Sequence, residues 1–343
     1  MKKNYLAVLM VLAVLPAFAQ QADQVGVGGG PSIRYATDAY PGFDNGADQI
    51  KPSRKEPRLM AWWNGPKYDN PEDQFAYAKA LQQNEGNYSK AAKAYDALVR
   101  EWPTAKDAVK AQMALADIRY FDDEDYEEAF EEYRYLLDFY SSRCDYNAVV
   151  DRLYEIAGKL REEGKTIMFF RFKNSTDVRR AYEACVLRAP GAKWAPEAML
   201  IIGNIREDEE QYTEAVKVYE NLRNLHFDTP EARAALAREA AVRMQILSDC
   251  GYNRERYQDT RGFLELALKN CDNKDRAELE GYLTEVKAAI EDAAYASAKF
   301  YDSNMRTRRS AINAYEQFLK EYPDGIHAEE TKARLNELKG TEE

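Results

Sequence analysis

Histidine is nearly missing from this chain, with two copies, His226 and His327, in 343 residues. A metal site built from several imidazoles is thereby excluded. Histidine-based catalysis has only these two candidates, and neither sits in a recognisable motif. His226 follows Leu225 near the end of a helical stretch and His327 lies in a turn, so both read as cap or surface residues. No H-E-x-x-H and no C-x-x-C occurs. No nucleophile is legible beside a base, so the chain reads as a non-enzyme without metal or cofactor. Glycine (17) and proline (12) are scarce, which excludes collagen-like and loop-dominated architectures. Long apolar runs are missing too. No segment beyond the N-terminus reaches the roughly 18 residues a membrane-spanning helix needs.

Positive charge is in deficit. The 48 Lys and Arg face 59 Asp and Glu, for a net charge of −11. Such a surface repels nucleic acid and anionic lipid wherever basic residues do not cluster. No nucleic-acid partner is expected, and at most peripheral membrane contact. Two runs invite a ligand reading and fail it. Val25-Gly-Val-Gly-Gly-Gly-Pro31 has no following Gly-Lys-Ser/Thr and no preceding strand. The acidic run 122–125 lacks the mid-loop glycine and spaced oxygens of an EF-hand, and reads as a solvated turn.

The first 19 residues read as a secretory signal peptide: Lys2 and Lys3, an apolar run over 5–15, Pro16, then Ala17-Phe18-Ala19 with small residues at −3 and −1. The mature chain is expected to be exported to the periplasm, peripheral at the outer membrane at most. The first cysteine is Cys144, so an acylated N-terminus is not expected. Export permits disulfides among Cys144, Cys185, Cys250 and Cys271. Cys250 and Cys271 would end successive antiparallel helices roughly 20 Å apart, too far to bridge. The four are read as small buried thiols.

Residues 20–72 read as an extended arm without fixed structure, punctuated by Pro41, Pro52, Pro57, Pro66 and Pro71. Its Trp62-Trp63 pair is expected to dock, either on the chain's own helices or on a partner. From residue 73 to 340 the texture is that of amphipathic helices, with apolar residues at i, i+3, i+4 and i+7. No stretch alternates with period two.

These helices repeat. Tyr88, Ala91, Tyr95 and Leu98 set a 0, +3, +7, +10 spacing, with Pro103 at +15. The spacing recurs at Tyr126, Ala129, Tyr133 and Leu136, at Tyr212, Ala215, Tyr219 and Leu222, and at Arg308, Ala311, Tyr315 and Phe318. A looser copy is Ser175, Val178, Tyr182 and Cys185, and a degenerate one is Tyr257, Thr260, Leu264 and Ala267. The small residue at +3 admits a second helix, and the residues at +7 and +10 fill the gap on the same face. Ala91, Tyr95, Ala129, Tyr133, Val178, Tyr182, Ala215, Tyr219, Ala311 and Tyr315 are therefore the expected repeat-packing residues. A second short amphipathic segment precedes each copy, so each unit is a helix–turn–helix that cannot bury its face alone. Stacked, the units make an all-α solenoid of about five to six helix pairs.

The spacing resembles the tetratricopeptide repeat, with Gly203 and Ala215 at that family's small positions, which implies a right-handed superhelix. A sharper resemblance lies in Ala296-Ser-Ala-Lys-Phe-Tyr301 followed by Ala311-Ile-Asn-Ala-Tyr-Glu-Gln-Phe-Leu-Lys-Glu-Tyr-Pro323. This stretch is similar to the last repeat of the BamD family of outer-membrane assembly factors. The resemblance implies a periplasmic scaffold whose partners are envelope proteins, the β-barrel assembly machinery among them. One segment departs from repeat texture. Phe169, Phe170 and Phe172 stand among Lys165, Arg171, Lys173, Arg179 and Arg180. Either the phenylalanines pack back on the solenoid, or they form an exposed aromatic–basic loop that meets a partner or the inner face of the outer membrane. On the second reading Phe169, Phe170, Arg171, Phe172 and Arg179 are partner-binding candidates beside Trp62 and Trp63.

Overall fold

The computed structural model describes residues 65–166, 175–303 and 308–340. The leader 1–19, nearly all of the arm, Trp62, Trp63, Phe169, Phe170, Arg171 and Phe172 lie outside the described residues. Thirteen helices and no strand are present among those described. They form six consecutive pairs and a final single helix. The pairs are α1 (Pro71–Gln83) with α2 (Tyr88–Glu101), α3 (Ala108–Phe121) with α4 (Tyr126–Tyr140), and α5 (Tyr146–Thr166) with α6 (Ser175–Arg188). They continue as α7 (Ala195–Asp208) with α8 (Tyr212–Leu225), α9 (Pro230–Asp249) with α10 (Arg254–Asn270), and α11 (Asn273–Asp302) with α12 (Arg308–Glu321). The last helix is α13 (Ala328–Gly340). Each helix packs on the one before and the one after, as a helical-repeat solenoid requires.

The repeat spacing marks helix starts. Tyr88, Tyr126, Ser175, Tyr212 and Arg308 each open the second helix of a pair; in the degenerate copy α10 opens three residues before Tyr257. Pro71, read from the sequence as the last proline of the arm, instead opens α1. It needs no hydrogen-bond partner in the first turn, and the Asn70 side chain accepts from the Asp73 N–H at 2.8 Å.

The two kinds of turn also repeat. Within pairs, the first helix ends in a left-handed residue: Gly86, Glu124 or Glu210, with φ of 61°, 50° and 59°. The next N–H then reaches back to the helix end, as Asn87 does to the Leu81 carbonyl and Asp125 to that of Arg119 (both 2.9 Å). Between pairs, two i→i+3 bonds run in sequence. Ala105 donates to Trp102 and Ala108 to Ala105, and the pattern recurs at 189, 192, 195 and at 322, 325, 328. Each turn delivers a buried alanine (Ala108, Ala195 or Ala328) to the next helix start.

All ten repeat-packing residues are buried. The aromatic at +7 does two jobs. Its ring fills the gap within the pair while its hydroxyl reaches a polar group on the preceding helix. Tyr95 donates to Gln82 (3.0 Å), Tyr133 to Asp117, Tyr219 to Asn204 (2.9 Å) and Tyr315 to Asp302 (3.2 Å). Tyr182 pairs with Arg161. Phenylalanine would fill the same space but leave these polar partners unmet, which explains why five of the 24 tyrosines stand at this position. Burial pushes the phenols of Tyr95 and Tyr315 up to about 12, so both stay protonated donors at neutral pH. Gly203 is the counterpart of Tyr219. A Cβ there would stand 2.3 Å from the tyrosine ring.

Charges are built in as well. The Glu239 side chain on α9 is fully buried between Arg223 of α8 and Arg243, each at 2.8 Å. Both guanidinium groups lie against the Phe263 ring of α10, at 5.3 and 4.6 Å. The arrangement ties three helices and leaves no buried charge unpaired. The long α11 serves two cores. Leu279, Val286 and Ile290 join the cluster of α9 and α10, while Tyr295 and Ala298 join that of α12 and α13.

The cysteines correct one expectation. Only Cys185 is buried; Cys144, Cys250 and Cys271 are half-exposed, and all four are free. Cys250 and Cys271 sit at helix ends, where burial is shallow, as the C-caps of α9 and α10.

Candidate functional site

The pairs divide the solenoid into two layers, an A layer of first helices and a B layer of second helices. In the middle of the chain the A layer is the crowded one. Beyond its B neighbours α8 and α10, α9 packs on both α7 and α11. No two B helices make comparable contact among the described residues. A stack whose A helices meet while its B helices splay bends toward the A side, so the A layer lines the inside of the curve here.

A cleft of about 550 Å³ opens on that inner side. The end of α7 contributes Glu207 and Asp208, and the start of α8 contributes Tyr212. One face of α9 supplies Ala241, Val242, Met244, Gln245 and Ser248, and α11 supplies Tyr282 and Glu285. The spacing along α9 is helical, so these five side chains share a stripe. Glu207 accepts from Tyr219 at 3.1 Å, and the exposed Arg238 reaches its other oxygen at 3.4 Å. Tyr282 donates to Glu278 at 2.6 Å. That bond, with burial behind it, pushes the Tyr282 phenol up to about 12. The Tyr212 phenol is raised by burial and then by the carboxylates of Glu210, Asp249 and Glu207. The lining holds no base poised on a nucleophile. It offers tyrosine faces, a thioether, an amide and carboxylates, a set suited to recognising a chain rather than transforming it.

The sequence did not single out these residues. One signal was available. Four carboxylates, Glu207 to Glu210, run through the end of α7, where the helix dipole disfavours negative charge. Within this run Glu209 is explained by its ion pair with Arg179, whereas the exposed Asp208 has no ion pair among the described residues.

Of the partner-binding candidates, Arg179 alone lies among the described residues, and there the expectation is corrected. Arg179 is buried (8 % exposed) rather than presented to solvent. It pairs with Glu183 at 3.0 Å and Glu209 at 3.1 Å. Glu209 also accepts from Ser175 at 2.6 Å, and these bonds hold its carboxyl below the usual range against the opposing effect of burial. Arg179 joins α6 to the end of α7 and is structural. Both histidines are structural too. His226 is the C-cap of α8. His327 stacks on Tyr295 at 4.2 Å with a ring nitrogen 2.6 Å from Asp292.

The fold thus defines a helical-repeat protein with an open inner face. The family model of the tetratricopeptide repeat matches residues 74–105, which cover α1 and α2, and 292–325, which cover the end of α11 and all of α12. The chain therefore carries tetratricopeptide repeats toward both ends of its array, and such repeats serve protein–protein interaction. A tetratricopeptide repeat protein from Parabacteroides merdae, known from its crystal structure, is similar over 78% of this chain and 98% of that one, at 13% identity and a TM-score of 0.28. No curated protein matches the chain.

Proposed function

We propose that this chain is an exported, non-catalytic scaffold of the cell envelope. It holds partner proteins or nascent β-barrel proteins during outer-membrane protein assembly, in the manner of the BamD family. One observation carries the scaffold reading: an array of stacked helix pairs, with tetratricopeptide repeats matched at 74–105 and 292–325, whose A layer presents an open cleft. The leader-like first 19 residues support export, and the 296–323 stretch supports the assembly role. A general envelope adaptor outside barrel assembly is the second reading. It is favoured by the lack of a cysteine directly after Ala19.

The test is a pull-down of the tagged full chain from crosslinked envelopes, read by mass spectrometry. Enrichment of the outer-membrane barrel-assembly protein is the expected result. Enrichment of another envelope complex would select the adaptor reading. A tagged chain retained in the cytoplasm with its leader intact would contradict both.

A further inference from the structure

The cleft has a chemistry of its own. Met244 and the rings of Tyr212 and Tyr282, over the buried Val242, make the apolar, polarisable part of the lining. The rim is anionic, with Glu207, Asp208 and Glu285, and no lysine or arginine belongs to the lining. Arg238 meets this rim only at Glu207. Asp208 is exposed and has no partner among the described residues. It nonetheless stands in the last turn of α7, where a cation would be the stable choice. The fold keeps a locally unfavourable charge at the mouth of its cleft, and no ion pair among the described residues offsets it.

A long aliphatic cation fits both features. Its methylenes lie on the methionine, and its charged head meets the tyrosine faces and the carboxylates. The volume exceeds one side chain and accommodates an extended stretch of about three residues, roughly 10 Å long. We infer that this cleft takes an extended, lysine- or arginine-bearing segment of a partner protein. The inference rests on the scaffold reading and sharpens it.

The test is a fluorescence-anisotropy titration of the purified chain with three labelled nonapeptides. One alternates Lys and Arg with Leu, one carries Glu and Asp at the charged positions, and one carries Ser and Gln. The basic peptide binds at least about tenfold tighter than the others, and its affinity falls as salt shortens the screening length. The double variant Asp208→Lys/Glu285→Lys loses about tenfold or more of that affinity. Glu85→Lys/Glu101→Lys makes the same charge change on the first helix pair and stays within about twofold of the parent. Equal binding of all three peptides, or equal losses in both double variants, overturns the inference. The envelope pull-down is repeated with Asp208→Lys/Glu285→Lys. A partner captured undiminished by this variant leaves the scaffold reading standing and removes the cleft from it.

Discussion

At the scale of single residues, the tyrosine at +7 is the unit of construction. Its position was legible because ring and small residue must share one helix face. The atom its hydroxyl meets was not, because Gln82, Asp117, Arg161, Asn204 and Asp302 have no common spacing rule. Arg179 shows the same limit. Sequence places it in a basic cluster, but only the fold brings Glu209 to within 3.1 Å of it. Gly203→Ala tests the ring packing. In an ordinary helix the change gains up to about 1 kcal/mol. Here the added methyl meets the Tyr219 ring, so urea unfolding should show a loss of about 1–3 kcal/mol. A variant as stable as the parent would contradict the packing. Asp302 gives a pH test. The Arg334 bond at 2.7 Å, more than any other influence, lowers its carboxyl below the usual range. A lowered carboxylate contributes stability above its unfolded value, near pH 4, and loses it as pH falls through the folded value. The stability gap between the parent and Asp302→Asn should therefore close on acidification below about pH 4. A gap unchanged down to pH 2 would remove the charge from the explanation.

At the scale of elements, the sequence revealed the helices better than their ends. Period and proline located five of the second helices. The degenerate copy misplaced the start of α10 by three residues, since Asn253 supplies a cap that the apolar spacing does not report. The left-handed turn residues were hidden because two of the three are glutamate, a poor choice for positive φ. Glu210→Gly should raise stability by about 1 kcal/mol, read by thermal unfolding. A decrease would show that the Glu210 side chain repays its backbone. Asp208→Lys separates stability from function. It removes a charge opposed by the α7 dipole and should stabilise the chain by about 0.3–1 kcal/mol while weakening the cleft for cationic segments. A variant that loses both stability and binding would make Asp208 structural.

At the scale of the whole molecule, the described helices make an array of stacked pairs, and around α9 its A layer carries a cleft. Helix counting came close, because the repeat forces pairs and the pairs force stacking. The cleft was not legible, because its side chains come from four helices and converge only through the bend at α9. Residues chosen for chemical character, such as Trp62 and Phe169, lie outside the described part, so the binding surface rests on the A layer. The central claim is that this inner layer holds a partner protein. A photo-crosslinking amino acid placed at Gln245, inside the cleft, and separately at Leu266, exposed on α10 of the B layer, tests it in living cells. The account predicts a discrete crosslinked partner band from Gln245 and none from Leu266. Crosslinks from Leu266 alone, or from neither position, would contradict it.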